Sequence, residues 1–367
     1  MRLHVRGMVL PGGEERDLFV TDDRRLTFRG DEDARTMLDG GFLIPGLADA
    51  HCHLGLYSPA GDDATDDERA RASARAELEA GVLALREPGA PNRASTGLGP
   101  GDGLPRTFTA GQMLAPPGCY VPGFARVVEA GELVEAALEE LLAGGGTWAK
   151  LIGDWFMPHR RLTPNFPVEA VAAAAQAVHR AGGRIAVHTC LPETIDIAIE
   201  AGVDTIEHGL APSASQAERM AAGGIAWTPT MVAMRHVPEV VTGAGLPAEE
   251  IAVAVELVRA TPAAVRTAHD AGVRVLAGTD AGMVPHGMVS TEIGLLHESG
   301  IPAAAALGAG SWDARSFLGL PGIEEGAPAD LVALARDPRE DLSVLSEAAL
   351  VVLDGVVLRA PERIGDG

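Results

Sequence analysis

Residues 167–209 read PVEAVAAAAQAVHRAGGRIAVHTCLPETIDIAIEAGVDTIEHG. The opening PVEAVAAAAQAVHRAG has apolar residues at helical spacing and runs into glycine, where a left-handed C-cap is expected. RIAVHTC (184–190) is then a short apolar run of strand type, PETIDIAIEAG a second amphipathic helix, and DTIEHG (204–209) a second strand. Strand, helix and strand in direct succession make a βαβ unit, whose two strands lie parallel because the helix carries the chain back. Working outward, six more strand-like runs have the same setting: FLIPGLADAHCH (42–53), VLALREPG (82–89), RTFTAGQML (106–114), TWAKLIG (147–153), IAWTPTM (225–231) and VRVLAGTD (273–280). Helical patterns such as DDERARASARAELEAG, GELVEAALEELLAGG and AEEIAVAVELVRATPAAVRTAHDAG separate them. Eight βα units predict an α/β fold closed as a TIM (β/α)8 barrel, with a doubly wound open sheet as the alternative.

The two ends of the chain read differently. LHVRGMVL, DLFVTD and RLTFRG before residue 42, and ADLVALA, ALVVLDG and VVLRAP after residue 320, are short β-type runs with turn residues and little helical period. Each set alone is too small to bury a face. The expectation is one discontinuous β-sandwich domain from residues 1–41 plus 321–367, attached to a barrel domain over residues 42–320. The Gly/Pro-rich segment 87–105 is expected to be a long loop on the functional face.

Composition excludes several classes. A formal net charge of −22 on 367 residues, with no basic stripe, argues against nucleic-acid binding. The first apolar run stops too early, at Pro11, for a signal peptide, and no stretch approaches the roughly 20 apolar residues of a membrane span. Cys52, Cys119 and Cys190 are too few and scattered for a disulfide framework or a CxxC zinc site. A cytoplasmic protein acting on a small molecule is expected, with no nucleic-acid or membrane partner and scope for a homo-oligomer.

The ionisable residues gather at strand ends. His51 and His53 lie two apart on the first strand, so both side chains point one way and Cys52 the other, as a packing residue. His188 ends the fifth strand, His208 the sixth and Asp280 the eighth, while Lys150 lies near the end of the fourth. In a barrel all of these open onto one C-terminal mouth, where catalytic groups of the fold collect. A single strand-end histidine is more often a hydrogen-bonded core residue than a ligand, and Asp280 also fits a helix N-cap. Several together form a nitrogen and oxygen set suited to Zn²⁺, with Mn²⁺, Co²⁺ or Fe²⁺ as alternatives. Of the 29 basic residues Lys150 alone is lysine, set between Ala149 and Leu151 in an apolar run. A buried amine has a lowered pKa and is partly neutral, which a guanidinium never is.

LIPGLADAHCH, AKLIG, VHTC, GVDTIEHG, GTDAG followed by HG and a Glu-containing helix, and GAPADLVAL together resemble the amidohydrolase superfamily, in its imidazolonepropionase-like and Xaa-Pro dipeptidase-like branch. The resemblance implies a TIM barrel with a β-sandwich from both termini. It also implies that His51, His53 and Asp280 hold one metal, and His188 and His208 a second. Lys150 matches the family's bridging lysine, which CO₂ converts to a carbamate, and thereby favours two divalent metals over one. The implied chemistry is metal-assisted hydrolysis of an amide, lactam, N-acyl amino acid, dipeptide, lactone or carbamate, with Asp280 as proton carrier. The alternatives are a mononuclear deaminase or imidazolone-type ring hydrolase, and a non-catalytic barrel scaffold.

For substrate contacts the candidates are Arg86 at the end of strand two, Tyr120 in the loop after strand three, Arg235 and His236 after strand seven, and His286 after Asp280. An arginine there would suit a substrate carboxylate. Dipeptidase-like relatives often carry a histidine after Gly-Gly in the loop following strand three. Here that region reads PPGCY, a departure that leaves lactones, N-acyl amino acids, carbamates and cyclic amides open beside dipeptides.

Overall fold

The computed structural model describes residues 2–61, 63–157 and 161–360. Residues 1 and 361–367 of the expected terminal domain lie outside the described residues.

The βα repeats produce an α/β fold with parallel sheets. One sheet has six strands in the order Ala226–Thr228, Thr205–His208, Arg184–Thr189, Trp148–Ile152, Met113–Ala115, Ala125–Val127. A second has three: Leu47–Asp49, Val82–Glu87 and Arg106–Thr109. Neighbours within both sheets are parallel. A parallel bridge between Ala90 and Gln112 links the two sheets. Residues 275–281 span the other side, with Val275 bridged to Trp227 and Ala281 to Cys52. Ala50 N–H also donates to the Ala277 carbonyl at 2.9 Å.

Three expected strands differ in detail. The run at 42–53 divides at Gly46: Arg35–Pro45 belongs to the terminal sheet and Leu47–Asp49 to a parallel one. A Cβ on Gly46 would stand 2.3 Å from Leu83 Cδ1, so the chain passes between the layers only with glycine there. The run at 106–114 is broken between Thr109 and Met113. The run at 273–280 carries bridges without a continuous ladder, and its backbone turns left-handed at Asp280, φ 55°.

The terminal strands pair into one seven-stranded sheet: Val356–Arg359, Leu350–Leu353, Leu331–Leu334, Arg35–Pro45, Leu3–Val9, Glu14–Val20 and Leu26–Thr27, in that order. The antiparallel pairing of Leu331–Leu334 with residues 42–45 knits the two ends of the chain together. This sheet buries its own apolar cluster, including Leu3, Val5, Leu18 and Leu331, apart from the large core under the helices.

Helix boundaries follow local chemistry. Thr65 with Glu68, and Ser213 with Gln216, form capping boxes that satisfy the first N–H groups of Asp66–Glu79 and Ala214–Gly223. Pro192–Ala201 and Ala214–Gly223 end on left-handed Gly202 and Gly224, as the Ala-Gly and Gly-Gly endings suggest. Among the described residues no helix is long and apolar enough to cross a membrane.

Candidate metal centre

His51, His53, Lys150, His188, His208 and Asp280 all line one cavity at the C-terminal ends of the parallel strands. The two-residue spacing sends His51 and His53 the same way, and Cys52 into the core, fully buried. Each of the first two imidazoles is fixed through Nδ1. His51 Nδ1–H donates to Glu207 Oε2 at 2.6 Å, and His53 Nδ1–H donates to the Gly89 carbonyl at 2.7 Å. Gly89 must be glycine: its φ is 111°, and a Cβ would lie 2.4 Å from Met113 Cγ.

With both protons on Nδ1, both Nε2 atoms carry lone pairs. These lone pairs converge. His51 Nε2 and His53 Nε2 are 3.3 Å apart, and Asp280 Oδ1 lies 3.3 Å from the first and 3.2 Å from the second. The centre of such a triangle is about 1.9 Å from each corner, close to the roughly 2.0–2.1 Å of a zinc–nitrogen bond. Three acceptors with no proton among them repel one another, and a cation at the centre turns that repulsion into attraction.

The second half of the site is built alike. His208 Nδ1 bonds the Thr230 hydroxyl at 2.7 Å, and its ring centroid is 4.4 Å from that of His188 and 4.8 Å from that of His51. His188 Nε2 and Lys150 Nζ are buried without a hydrogen-bond partner. Orphaned buried polar atoms are costly, and two beside a ligand triangle fit a group that completes them. His208, Thr230 and Asp280 all have left-handed backbones, at φ 62°, 49° and 55°. Such strain in non-glycine residues clusters at functional sites.

Burial sets the protonation states. It pushes the His188 and His208 imidazoles well below their usual range and, with the Lys150 charge, lowers His51, so all three are neutral and ligand-ready. Burial pushes the Lys150 ammonium down to about 8.

Beneath the ring lies a buried ion pair that sequence reasoning missed. Glu207 accepts from Arg86 Nη2 at 2.8 Å on both oxygens, and Arg86 Nε donates to the Ala50 carbonyl at 2.6 Å. The Arg86 and Lys150 charges hold Glu207 well below its usual range against the effect of burial. Arg86, expected at the substrate, is therefore committed below the ring and does not line the cavity. Arg235 is exposed and donates to His236 Nε2 at 3.3 Å, and His286 Nδ1–H donates to Glu77 Oε1 at 2.9 Å; neither Arg235 nor His286 lines the cavity. Tyr120 and His236 do line it.

Asp154, His188 and Cys190 form a second group with ligand atoms within 4.8 Å of one another. Asp154 accepts from the Cys190 and Leu191 N–H groups at 2.8 and 3.1 Å, which makes it a loop staple. Burial pushes both its carboxyl and the Cys190 thiol towards their neutral forms, which disfavours ligation there.

Residues 42–358 match the amidohydrolase family, a span that holds every ligand candidate. The chain belongs to the amidohydrolase family. This amidohydrolase is 37% identical over 357 residues to an uncharacterized protein of Mycobacterium tuberculosis, covering 97% of this chain and 95% of that protein. Its fold is also that of two solved structures. A Xaa-Pro dipeptidase with bound methionine in the active site matches with TM-score 0.82 and 24% identity, over 98% of this chain and 100% of that one. A prolidase complexed with N-methylphosphonate-L-proline matches with TM-score 0.82 and 22% identity, over the same shares.

Proposed function

We propose that this amidohydrolase is a binuclear metal-dependent hydrolase of a small molecule, cleaving a carbon–nitrogen bond or a related lactone or carbamate at its carbonyl. The observation that carries this reading is the orphaned Lys150 amine, buried in one cavity with four histidines and Asp280. His51, His53 and Asp280 would hold one divalent cation, and His188 and His208 the other. Zn²⁺ suits the donor set, with Mn²⁺, Co²⁺ or Fe²⁺ as alternatives. An amine pushed down to about 8 is partly neutral at physiological pH, so it would add to CO₂ as a carbamate, releasing a proton to water, and would supply an anionic group to help hold the cations.

The bound cations would supply a nucleophile at neutral pH and polarise the scissile carbonyl. The protein does the rest. Asp280 keeps Oδ1 against the two imidazoles and uses Oδ2 to take the proton of the attacking water and pass it to the leaving nitrogen or oxygen. Glu207 fixes the His51 tautomer, and the Gly89 carbonyl that of His53. Lys150 disfavours the one-metal deaminase reading, and the intact ligand set disfavours a non-catalytic scaffold.

We further propose that the parallel strands close as a (β/α)8 barrel over residues 42–320, supported by the bridges at Ala90, Val275 and Ala281. The terminal sheet, from residues 1–41 and 321–367, would form the β-sandwich, with its long strand reaching Pro45. A cytoplasmic setting, a homo-oligomer, and no nucleic-acid or membrane partner complete the proposal. The test is a panel of dipeptides, N-acyl amino acids, lactones and carbamates assayed with the metal-loaded protein. Turnover that chelation abolishes and metal restores is expected. No turnover of any member by a protein holding two metals per chain would overturn the reading.

A further inference from the structure

The cavity above the ligand ring has two apolar walls. Tyr120, Phe124 and Trp155 form one, with the Tyr120 and Trp155 ring centroids 5.8 Å apart and Trp155 5.0 Å from His188. Met234, Val237 and Val240 form the other. This second wall is rigidly mounted: Thr230 just before it bonds His208, and Glu292 accepts the N–H groups of Met231 and Val232 at 2.9 and 2.8 Å. At the rim, Tyr57, Met283 and Val240 are 73%, 45% and 43% exposed, and all three line the cavity. Large apolar groups left in water around one mouth mark a surface that a ligand covers.

Fixed positive charge is scarce here. Among the described residues the cavity has no arginine, and its single lysine belongs to the ligand ring. Arg86 is bound to Glu207 below, and Arg235 stands behind the lining, donating to His236 at 3.3 Å. His236, the remaining ionisable nitrogen base, has Nδ1 3.5 Å from Glu239 Oε2. A substrate carboxylate between these walls, above the ligand ring, would lose hydration with no cationic side chain of the walls to meet it.

Resting on the hydrolase reading above, we infer that the substrate is an uncharged amide or ester whose carbonyl carries bulky apolar groups, and that a free carboxylate beside the leaving atom is selected against. The aromatic wall would stack on one substituent, while the methionine and valines take an aliphatic one.

Two compounds that differ only in the carboxylate test this: N-hexanoyl-2-phenylethylamine and N-hexanoyl-L-phenylalanine. With the metal-loaded chain, kcat/KM is expected to favour the neutral amide by about tenfold or more. Binding is read separately, from Trp155 fluorescence with Trp155→Phe as the signal control, using the inert sulfonamide analogues of both compounds. The neutral analogue is expected to bind more tightly. Val240→Arg places a cation at the rim and should shift both ratios towards the acid. If neither amide is cleaved but the neutral analogue binds preferentially, the preference for an uncharged apolar ligand stands and the failure lies with the hydrolase reading. A preference for the acid in turnover or in binding, or no binding of either analogue, would overturn the inference.

Discussion

His51 Nε2 and His53 Nε2 face each other at 3.3 Å while their Nδ1–H groups are held by Glu207 and Gly89. Neither ring can turn to relieve the contact without breaking a buried hydrogen bond. Metal removal should therefore destabilise the fold as well as abolish activity. At a metal concentration a thousand times Kd, binding contributes about 4 kcal/mol. Calorimetry before and after chelation is expected to show a Tm lower by several degrees. A melting point unmoved by chelation, in protein shown to have held metal, would count against a cation at this triangle.

Lys150→Ala leaves space where the bridging group belongs. Activity should fall by several orders of magnitude, and short carboxylic acids such as acetate or propionate should restore part of it by offering two oxygens in the vacated position. Lys150→Arg retains the charge but cannot form a carbamate, so it should lose most bound metal and resist rescue. An arginine variant with activity near wild type would remove the bridging role.

Arg86→Met deprives Glu207 of its buried partner, and breaking such a pair costs about 3–5 kcal/mol. Urea denaturation should show that loss, and the double variant Arg86→Met/Glu207→Gln should recover part of it. Glu207→Gln alone keeps an acceptor for His51 but drops the charge, so metal affinity should weaken roughly 10–100-fold. If metal titration shows no weakening, Glu207 does not position His51.

Glu292 holds the wall segment through two backbone N–H groups, and burial raises its carboxyl from 4.5 to about 7. The folded chain thus binds this proton more tightly than the unfolded chain. The stability involved is present in full below 4.5 and is lost as pH rises through about 7. It amounts to roughly 3 kcal/mol across that window. Glu292→Gln should flatten this part of the profile in chemical denaturation measured across the window. Parallel pH profiles for the variant and the wild type would contradict the assignment.

The convergence of these side chains on one cavity was legible because strand period and strand-end placement constrain it: His51 and His53 had to share a face, and Lys150 stood alone in an apolar run. What lies under and above the ring was less so. A charge in a buried strand reads the same whether it faces a cavity or a partner, and Arg86 meets Glu207 across 121 positions of sequence. The signal was present as opposite charges in two apolar runs, VLALREPG and DTIEHG. His286 likewise pairs with Glu77 on a helix whose apolar spacing gave no hint of a buried carboxylate. Trp155 and Phe124 sit outside helices and strands, and Met234 in a helix of four residues, too short for a period to predict direction. The division at Gly46 was hidden because the apolar run continues unbroken across it, and only the approach to Leu83 separates the two layers.

The most direct test of the central claim is a crystal structure of the chain loaded with Zn²⁺ in bicarbonate buffer, with the metals located by anomalous scattering. The expected result is two metal peaks per chain, one within His51, His53 and Asp280 and one at His188 and His208, joined by extra density on Lys150 Nζ. A single peak beside an unmodified Lys150 amine would contradict it.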